Sequence, residues 1–348
     1  MVLLQNHLKN FTQQNKYYEH TSKMIWGYFS RKRYFQIISC ILSVKGGKMM
    51  SLQLEHLTKK FGKHVAVNDI TLEIPEGEIF GFLGGNGAGK TTTFRLALGL
   101  LQATEGHILW KNKPLTHEQS QLIGYLPEER GLYEKLTVKE QLTYLGRLKG
   151  MEKQEILSEL AAWLQRFKVS EYMDKKVEEL SKGNQQKIQF ISAVLHQPEF
   201  LILDEPFSGL DPVNVELMKE AVMDLNKQGT TIVFSSHQMS HVEELCRHVC
   251  ILQHGKPVVQ GALTDIKTSF GKKNLTILGD VSFDFLQSMP GVVKYTEIIG
   301  GCRLQIENEN VSQQIFNGLQ GKGFIRKFDL EEPTLNDIFI DKVGASYE

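Results

Sequence analysis

The stretch IFGFLGGNGAGKTTTF, residues 79–94, decides the fold of this chain. Its first five residues are apolar or glycine and predict a short buried strand, and the residues after the glycine-rich loop predict a helix. Between them, residues 84–91 match the phosphate-binding pattern G-x-x-x-x-G-K-[ST]. Glycines let successive backbone N–H groups point at phosphate oxygens, and the start of a helix adds a positive dipole end. The alternative, a merely flexible glycine turn, accounts for neither the strand before the loop nor the helix after it.

Two side chains of this loop carry distinct chemistry. The Lys90 ammonium places a point charge beside the β- and γ-phosphates, and the Thr91 hydroxyl can ligate Mg²⁺. The remaining contacts are expected from the loop backbone and the first helical turn. The residues predicted to hold the nucleotide here are Gly84, Gly85, Asn86, Gly87, Ala88, Gly89, Lys90, Thr91 and Thr92.

A second motif, the acidic sequence FLILDE at residues 200–205, also places functional groups directly after a predicted buried strand. An apolar strand that ends in two acids places its carboxylates at the carboxyl edge of an α/β sheet, where ligands bind. Asp204 is predicted to hold Mg²⁺, directly or through water, and Glu205 to polarise an attacking water. Alone this motif is weak, because many strands end in acids, but next to a phosphate-binding loop it becomes a strong signal.

The order of elements predicts an α/β fold of the P-loop NTPase kind, with a mixed, mainly parallel sheet. Strand patterns at residues 52–57, 65–74, 79–83, 200–203, 230–234 and 249–252 are joined largely by helical patterns. Residues about 129–180 predict an all-helical insert that opens with a capping box at Thr137–Glu140. The predicted ATPase domain is residues 49–262. Residues 263–348 predict a small α+β domain containing a hairpin with Gly300-Gly301 as its turn and a final helix capped by Thr334.

Composition narrows the function classes. The chain has 348 residues with 40 basic and 40 acidic side chains, but residues 1–48 carry +7 and the rest −7. A mildly acidic main body argues against a nucleic-acid partner. Cys40, Cys246, Cys250 and Cys302 have no zinc spacing and predict free thiols. The most apolar stretch, residues 34–44, is about half of the roughly 20 residues that a membrane-spanning helix needs, so no span is expected.

Residues 1–48 leave two interpretations open. They are rich in Lys, Asn, Tyr and Phe, and Met49-Met50 stands directly before the first strand pattern. One interpretation is that they are upstream sequence read through into the product. The other is a basic, partly apolar interfacial helix. The apolar residues of this extension show no sustained helical stripe, which favours the first.

Further motifs resemble the nucleotide-binding domain of ABC transporter ATPases over residues 51–262. Leu180–Gln186, LSKGNQQ, resembles the signature sequence, Ser208–Asp211 the D-loop, His237 the switch histidine, and Phe61 the aromatic that stacks on adenine. The resemblance implies ATP with Mg²⁺ as cofactors and Lys90, Glu205 and His237 as catalytic residues. It also implies that Ser181, Gly183, Asn184 and Asp211 serve the nucleotide of a second subunit.

The same resemblance implies partners. Two chains would pair head to tail across two ATP molecules, either as copies of this chain or with a paralogous ATPase, and would drive a separate membrane permease from the cytoplasmic face of the membrane. The tail EPTLNDIF, residues 332–339, resembles that of the bacterial sodium and drug exporters and favours export. The alternatives are a soluble ABC ATPase acting on nucleic acid or ribosomes, and a module that binds ATP without turnover.

Two departures from the family pattern bear on the rate of hydrolysis. The Q-loop position, usually Gln, is Glu128, which can still ligate Mg²⁺ but adds negative charge beside the γ-phosphate. The signature carries Lys182 and Asn184 where Gly and Gln are usual. Asn184 keeps the amide on a side chain one methylene shorter. The motif that argues for hydrolysis, Glu205 with His237, is intact.

Overall fold

A computed structural model describes residues 50–114, 117–129 and 131–344. The prediction made for residues 1–48 lies outside this range, as does Cys40. An antiparallel sheet begins the described chain, with strands in the order β2-β1-β4-β5. The predicted strands at residues 52–57 and 65–74 are confirmed. The four strands are β1 Met50–Phe61, β2 His64–Pro75, β4 Glu105–Trp110 and β5 Lys113–Pro114.

The central sheet has six strands in the order β10-β9-β3-β8-β7-β6. Each pair of adjacent strands in the series β9, β3, β8, β7 and β6 is parallel, whereas β10 runs antiparallel to β9. The predicted mixed, mainly parallel sheet is therefore confirmed. Because parallel strands share a carboxyl edge, the loops after β3, β6, β7 and β8 all emerge on one side. These strands are β3 Ile79–Gly84, β6 Ile123–Leu126, β7 Phe200–Asp204, β8 Thr231–Ser235, β9 His248–Gln253 and β10 Lys256–Ala262.

Both faces of the central sheet are buried, which explains why its strands are continuous apolar runs rather than alternating ones. Along β7, Phe200 and Ile202 pack with the antiparallel sheet, while Leu201 and Leu203 pack with the helices of the opposite face. The helices of the ATPase part are α1 Lys90–Ala97, α4 Lys182–Val194, α5 Pro212–Lys227 and α6 Met239–Leu245.

The helical insert contains α2 Val138–Leu148 and α3 Lys153–Arg166, followed by single 3₁₀ turns at Ser170–Tyr172 and Val177–Glu179. The predicted capping box is confirmed: the Glu140 N–H donates to Thr137 Oγ1 at 3.2 Å, and the Thr137 N–H donates to Glu140 Oε2 at 2.9 Å. The apolar stripe of α3 forms part of the core on one side of the central sheet.

The C-terminal sheet is antiparallel, has the order β12-β13-β11-β14 and carries its own core. The flanking helices α7 and α9 pack on the ATPase part instead, because Leu263, Ile338 and Val343 are buried in its core. Packing is therefore continuous across residue 263. The elements are α7 Leu263–Phe270, β11 Lys273–Gly279, β12 Val292–Ile298, β13 Gly301–Ile306, α8 Glu309–Leu319, β14 Ile325–Glu331 and α9 Leu335–Val343.

The hairpin turn of this sheet lies one residue earlier than predicted. Ile298 pairs with Gly301, so the two turn residues are Ile299 and Gly300, and the prediction of Gly300-Gly301 is wrong. Gly300 has φ +73°, which suits glycine in a turn. Gly301 is needed for a different reason: a Cβ there would lie 1.9 Å from the carbonyl oxygen of Ile277 on β11.

Candidate functional site

The phosphate-binding loop wraps around the Lys90 ammonium. Nζ donates to the carbonyl of Gly84 at 2.6 Å and to that of Gly85 at 3.3 Å, so the charge lies at the centre of the loop. Gly89 caps α1 with φ 102°, a conformation that side chains other than glycine rarely adopt. The Gly255 N–H donates to the carbonyl of Ala88 at 3.0 Å and ties the loop to the turn between β9 and β10.

An oxygen-lined corner lies where α1 meets the ends of β7 and β8. Thr91 Oγ1 donates to Asp204 Oδ2 at 3.4 Å, and Ser235 Oγ donates to Asp204 Oδ1 at 2.5 Å. Asp204 is buried, and burial raises the pKa of its carboxyl despite the hydrogen bond from Ser235. A threonine hydroxyl beside a carboxylate is a hard-oxygen donor set, so the corner fits Mg²⁺.

Glu205 occupies a constrained position directly after this corner. Its side chain is buried and its φ is +51°, in the left-handed region that costs free energy for any residue but glycine. The Glu205 N–H donates to the carbonyl of Ser235 at 3.2 Å, which holds the turn. Burial raises the pKa of Glu205 to about 7, against the lowering effect of the Lys90 charge. A carboxyl with that pKa suits a general base near neutral pH.

His237 lies against this carboxylate. Its Nδ1 is 2.8 Å from Glu205 Oε1, while most of the imidazole remains exposed. The two residues follow neighbouring parallel strands, β7 and β8, whose registers pair Asp204 with Ser235. The sheet order therefore brings together Lys90, Asp204, Glu205 and His237 at one edge.

Glu128 and Phe61 lie at the periphery. Glu128 follows β6 and is exposed, and its negative charge contributes to raising the pKa of both Asp204 and Glu205. Phe61 ends β1 and is 48% exposed, and Lys59 Nζ lies 5.1 Å from the centroid of its ring. An exposed aromatic face in a strand turn is available to stack on a planar base.

The signature residues form a second group. Ser181 Oγ caps α4 by accepting from the Asn184 N–H at 3.4 Å, and Asp211 caps α5 by accepting from the Asn214 N–H at 3.0 Å. The Asn184 amide donates to Tyr172 Oη in the helical insert at 3.1 Å. At Gly183 a Cβ would lie 3.4 Å from the Gly209 carbonyl, so the signature packs closely on the D-loop.

Several residues of the site carry no local sequence signal. Ser235 reaches Asp204 only because β8 lies beside β7, and the nearest clue in the sequence is a hydroxyl at a strand end. A cavity of about 230 Å³ beside the phosphate-binding loop is lined partly by the turn after β9 and by Val343 at the end of α9. The C-terminal helix therefore reaches the rim of the site.

Comparison with known proteins identifies relatives of both parts of the described chain. Residues 67–208 match the family described as ABC transporter, and residues 261–343 match the C-terminal domain of DrrA1-3-like ATP-binding proteins. The Bacillus subtilis ABC transporter ATP-binding protein YhaQ is 65% identical over 297 residues, covering 85% of this chain and all of the relative. The chain belongs to the ATP-binding proteins of ABC transporters.

As an ABC transporter ATPase it has more distant relatives as well. The Nod factor export ATP-binding protein I of Cupriavidus metallidurans is 30% identical over 84% of this chain and 97% of the relative. A solved ATP-binding subunit of an ABC transporter superposes with a TM-score of 0.60 at 30% identity, over 64% of this chain and 93% of that one. The ABC ATPase hydrolyses ATP to power transport. In the part of the chain that the structure describes, no helix combines the length and apolar character of a membrane span.

Proposed function

We propose that this ABC ATPase powers an exporter: two ATPase subunits pair head to tail, bind ATP with Mg²⁺ and act on a membrane permease from the cytoplasmic face. The observation that carries the catalytic part is the contact of His237 with the buried Glu205. This arrangement supports turnover and disfavours a module that only holds ATP. The name of the Nod factor export relative supports export. The relatives named above are transporter proteins and lend no support to a role on nucleic acid or ribosomes.

Each side chain of the site has a proposed role in hydrolysis. Glu205 orients or deprotonates the attacking water, and His237 holds the Glu205 carboxylate and lies toward the γ-phosphate. Lys90 stabilises charge on the phosphate oxygens. Thr91, Asp204 and Glu128 would hold Mg²⁺, which when bound neutralises charge on the β- and γ-phosphates. Phe61 stacks on adenine.

The signature group serves the second subunit. Ser181 and Gly183 lie at the N-terminus of α4, where free N–H groups and the helix dipole attract phosphate oxygens. In a head-to-tail pair, one site combines the phosphate-binding loop of one subunit with Ser181, Gly183, Asn184 and Asp211 of the other. The subunit that supplies the second half is a copy of this chain or a paralogous ATPase.

A mixing experiment tests the shared site. Lys90→Met disables the loop, whereas Ser181→Asp keeps a capping oxygen on α4 but repels phosphate. Each variant alone should be inactive. Because random pairing makes about half of the dimers mixed, each with one complete site, the mixture should regain roughly a quarter of the parent ATPase rate. A mixture as inactive as its components would contradict a site shared between two copies of this chain.

The adenine contact has its own test. Phe61→Ala should weaken ATP binding about fivefold, because aromatic stacking contributes roughly 1 kcal/mol. Phe324→Ala is the control, since Phe324 is also exposed but directly precedes β14 of the C-terminal sheet. The measurement is a calorimetric titration with ATP. Equal affinities for the parent and Phe61→Ala would remove Phe61 from the site.

A further inference from the structure

Three glutamines of α4 share one hydrogen-bonding pattern. The side-chain amide of each donates to one or two main-chain carbonyls of a neighbouring segment. Gln185 Nε2 donates to the Val177 and Leu180 carbonyls at 3.0 and 3.2 Å, within the turns that precede α4. The other two, Gln186 and Gln189, reach instead toward loops that bear acids of the ATP site.

Gln189 clamps the segment that contains Glu128. Its Nε2 donates to the carbonyl of Pro127 and to that of Glu129, each at 3.1 Å. The amide has two hydrogens, so both can be used at once, one on each side of Glu128. Gln189 is buried, with 3% of its surface exposed. A buried amide with two acceptors fixes the main chain on both sides of the exposed Glu128 carboxylate.

Gln186 makes the corresponding contact to the loop of Glu205. Its buried Nε2 donates to the Pro206 carbonyl at 3.0 Å, one residue beyond Glu205. The Glu205 N–H is held from the other side by the Ser235 carbonyl. The left-handed turn at Glu205 is thus held both by α4 and by β8, and such surroundings are what keep a strained backbone in place.

The helix that carries these clamps also carries the signature residues at its first turn. We propose that Gln189 and Gln186 are positioning residues that hold Glu128 and Glu205 at the ATP site and join them rigidly to the signature helix. This rests on the proposed function, in which those two carboxylates act on Mg²⁺ and water. A displacement of α4 on contact with the second subunit's nucleotide is then transmitted to the carboxylates of the same chain.

The test is Gln189→Met in the full-length chain, which keeps the side-chain length and removes both donors. Loss of a group that orients a metal ligand typically costs 10- to 100-fold in metal affinity or activity. The Mg²⁺ concentration that half-saturates binding of a fluorescent ATP analogue should rise roughly 10-fold, and kcat should fall by a similar factor. Affinity for the analogue at saturating Mg²⁺ should stay within about twofold of the parent.

The matched control is Gln185→Met. It makes the same replacement on the same helix and also abandons two carbonyls, so a purely structural effect would be common to both variants. We expect a similar drop in unfolding temperature for both and a changed Mg²⁺ requirement only for Gln189→Met. If Gln189→Met does not fold, Gln189→Asn keeps the amide but is too short to bridge both carbonyls. It should shift the Mg²⁺ requirement in the same direction by a smaller factor.

Two outcomes separate this inference from the function on which it rests. Glu128→Ala is measured in parallel. If Glu128→Ala leaves the Mg²⁺ requirement unchanged, the proposed role of Glu128 fails. If Glu128→Ala raises that requirement while Gln189→Met and Gln189→Asn leave it at the parent value, the positioning role alone is overturned. Equal shifts for Gln185→Met and Gln189→Met would also overturn it.

Discussion

Replacing Glu205 with glutamine should lower ATP turnover by about 10²-fold or more, the scale of losing a general base. The amide of glutamine has the same shape as the carboxylate. Glutamine and glutamate also have the same conformational free-energy cost at a φ of +51°, so the turn should persist. Lys90 and the rest of the phosphate-binding loop are untouched, and ATP binding should be retained. Phosphate release by the purified chain gives the rate, and a nucleotide titration gives the affinity.

The same variant should accumulate as a dimer. If a head-to-tail pair closes on ATP and opens after hydrolysis, a chain that binds without cleaving stays closed. Size-exclusion chromatography with and without ATP measures this. Glu178→Gln, an exposed carboxylate of the helical insert paired with Lys135, is the control and should behave as the parent. A Glu205→Gln chain that hydrolyses ATP at the parent rate would remove Glu205 from the mechanism. An inactive variant that stays monomeric would point to a paralogous partner subunit.

Gly89→Ala should lower the free energy of unfolding by about 3 kcal/mol or more, the combined scale of backbone strain and overpacking. A Cβ at this position would lie 2.4 Å from the Ala66 carbonyl oxygen, a main-chain atom that cannot rotate away. The φ of 102° adds strain for any residue with a Cβ. Urea unfolding measures the loss, and ATP binding should fall with it because Gly89 belongs to the phosphate-binding loop and caps α1.

Gly87→Ala separates the two causes. Gly87 also has a positive φ, +76°, but a Cβ there would meet no atom within 4 Å. We expect it to cost only about 1–2 kcal/mol, the price of a left-handed conformation. If both variants lose the same stability, the close approach of Ala66 to the loop contributes nothing. A larger loss for Gly89→Ala supports the steric contact.

Much of the architecture could be predicted because local patterns determine it. Continuous apolar runs predicted β3, β7 and β8, and the capping boxes at Thr137 and Thr334 predicted the starts of α2 and α9. The strands β4, β5, β6, β10 and β11 were not predicted. Polar residues interrupt the apolar ones in β4, β10 and β11, and β5 and β6 are only two and four residues long. The strands β4, β6 and β11 also pair with strands distant in the sequence.

The candidate site divides in the same way. Residues 84–91 and 204–205 lie in motifs whose spacing carries their chemistry, and the parallel sheet brings them to one edge. Ser235, by contrast, is 31 residues from Asp204, and Gln189 is 62 residues from Pro127. Nothing near either residue in the sequence identifies its partner.

The sequence by itself determined the phosphate-binding loop, the two acids after a buried strand and those strands and helices that have continuous apolar runs or capping residues, because each depends on interactions within a few residues. Only the tertiary structure decided how tightly these parts are held. The left-handed turn at Glu205, the oxygen corner at Asp204, the clamps of Gln186 and Gln189, and the packing of α9 into the ATPase core join segments far apart in the chain. The free energy that stabilises these contacts comes from burial and from hydrogen bonds that exist only once the sheet has formed.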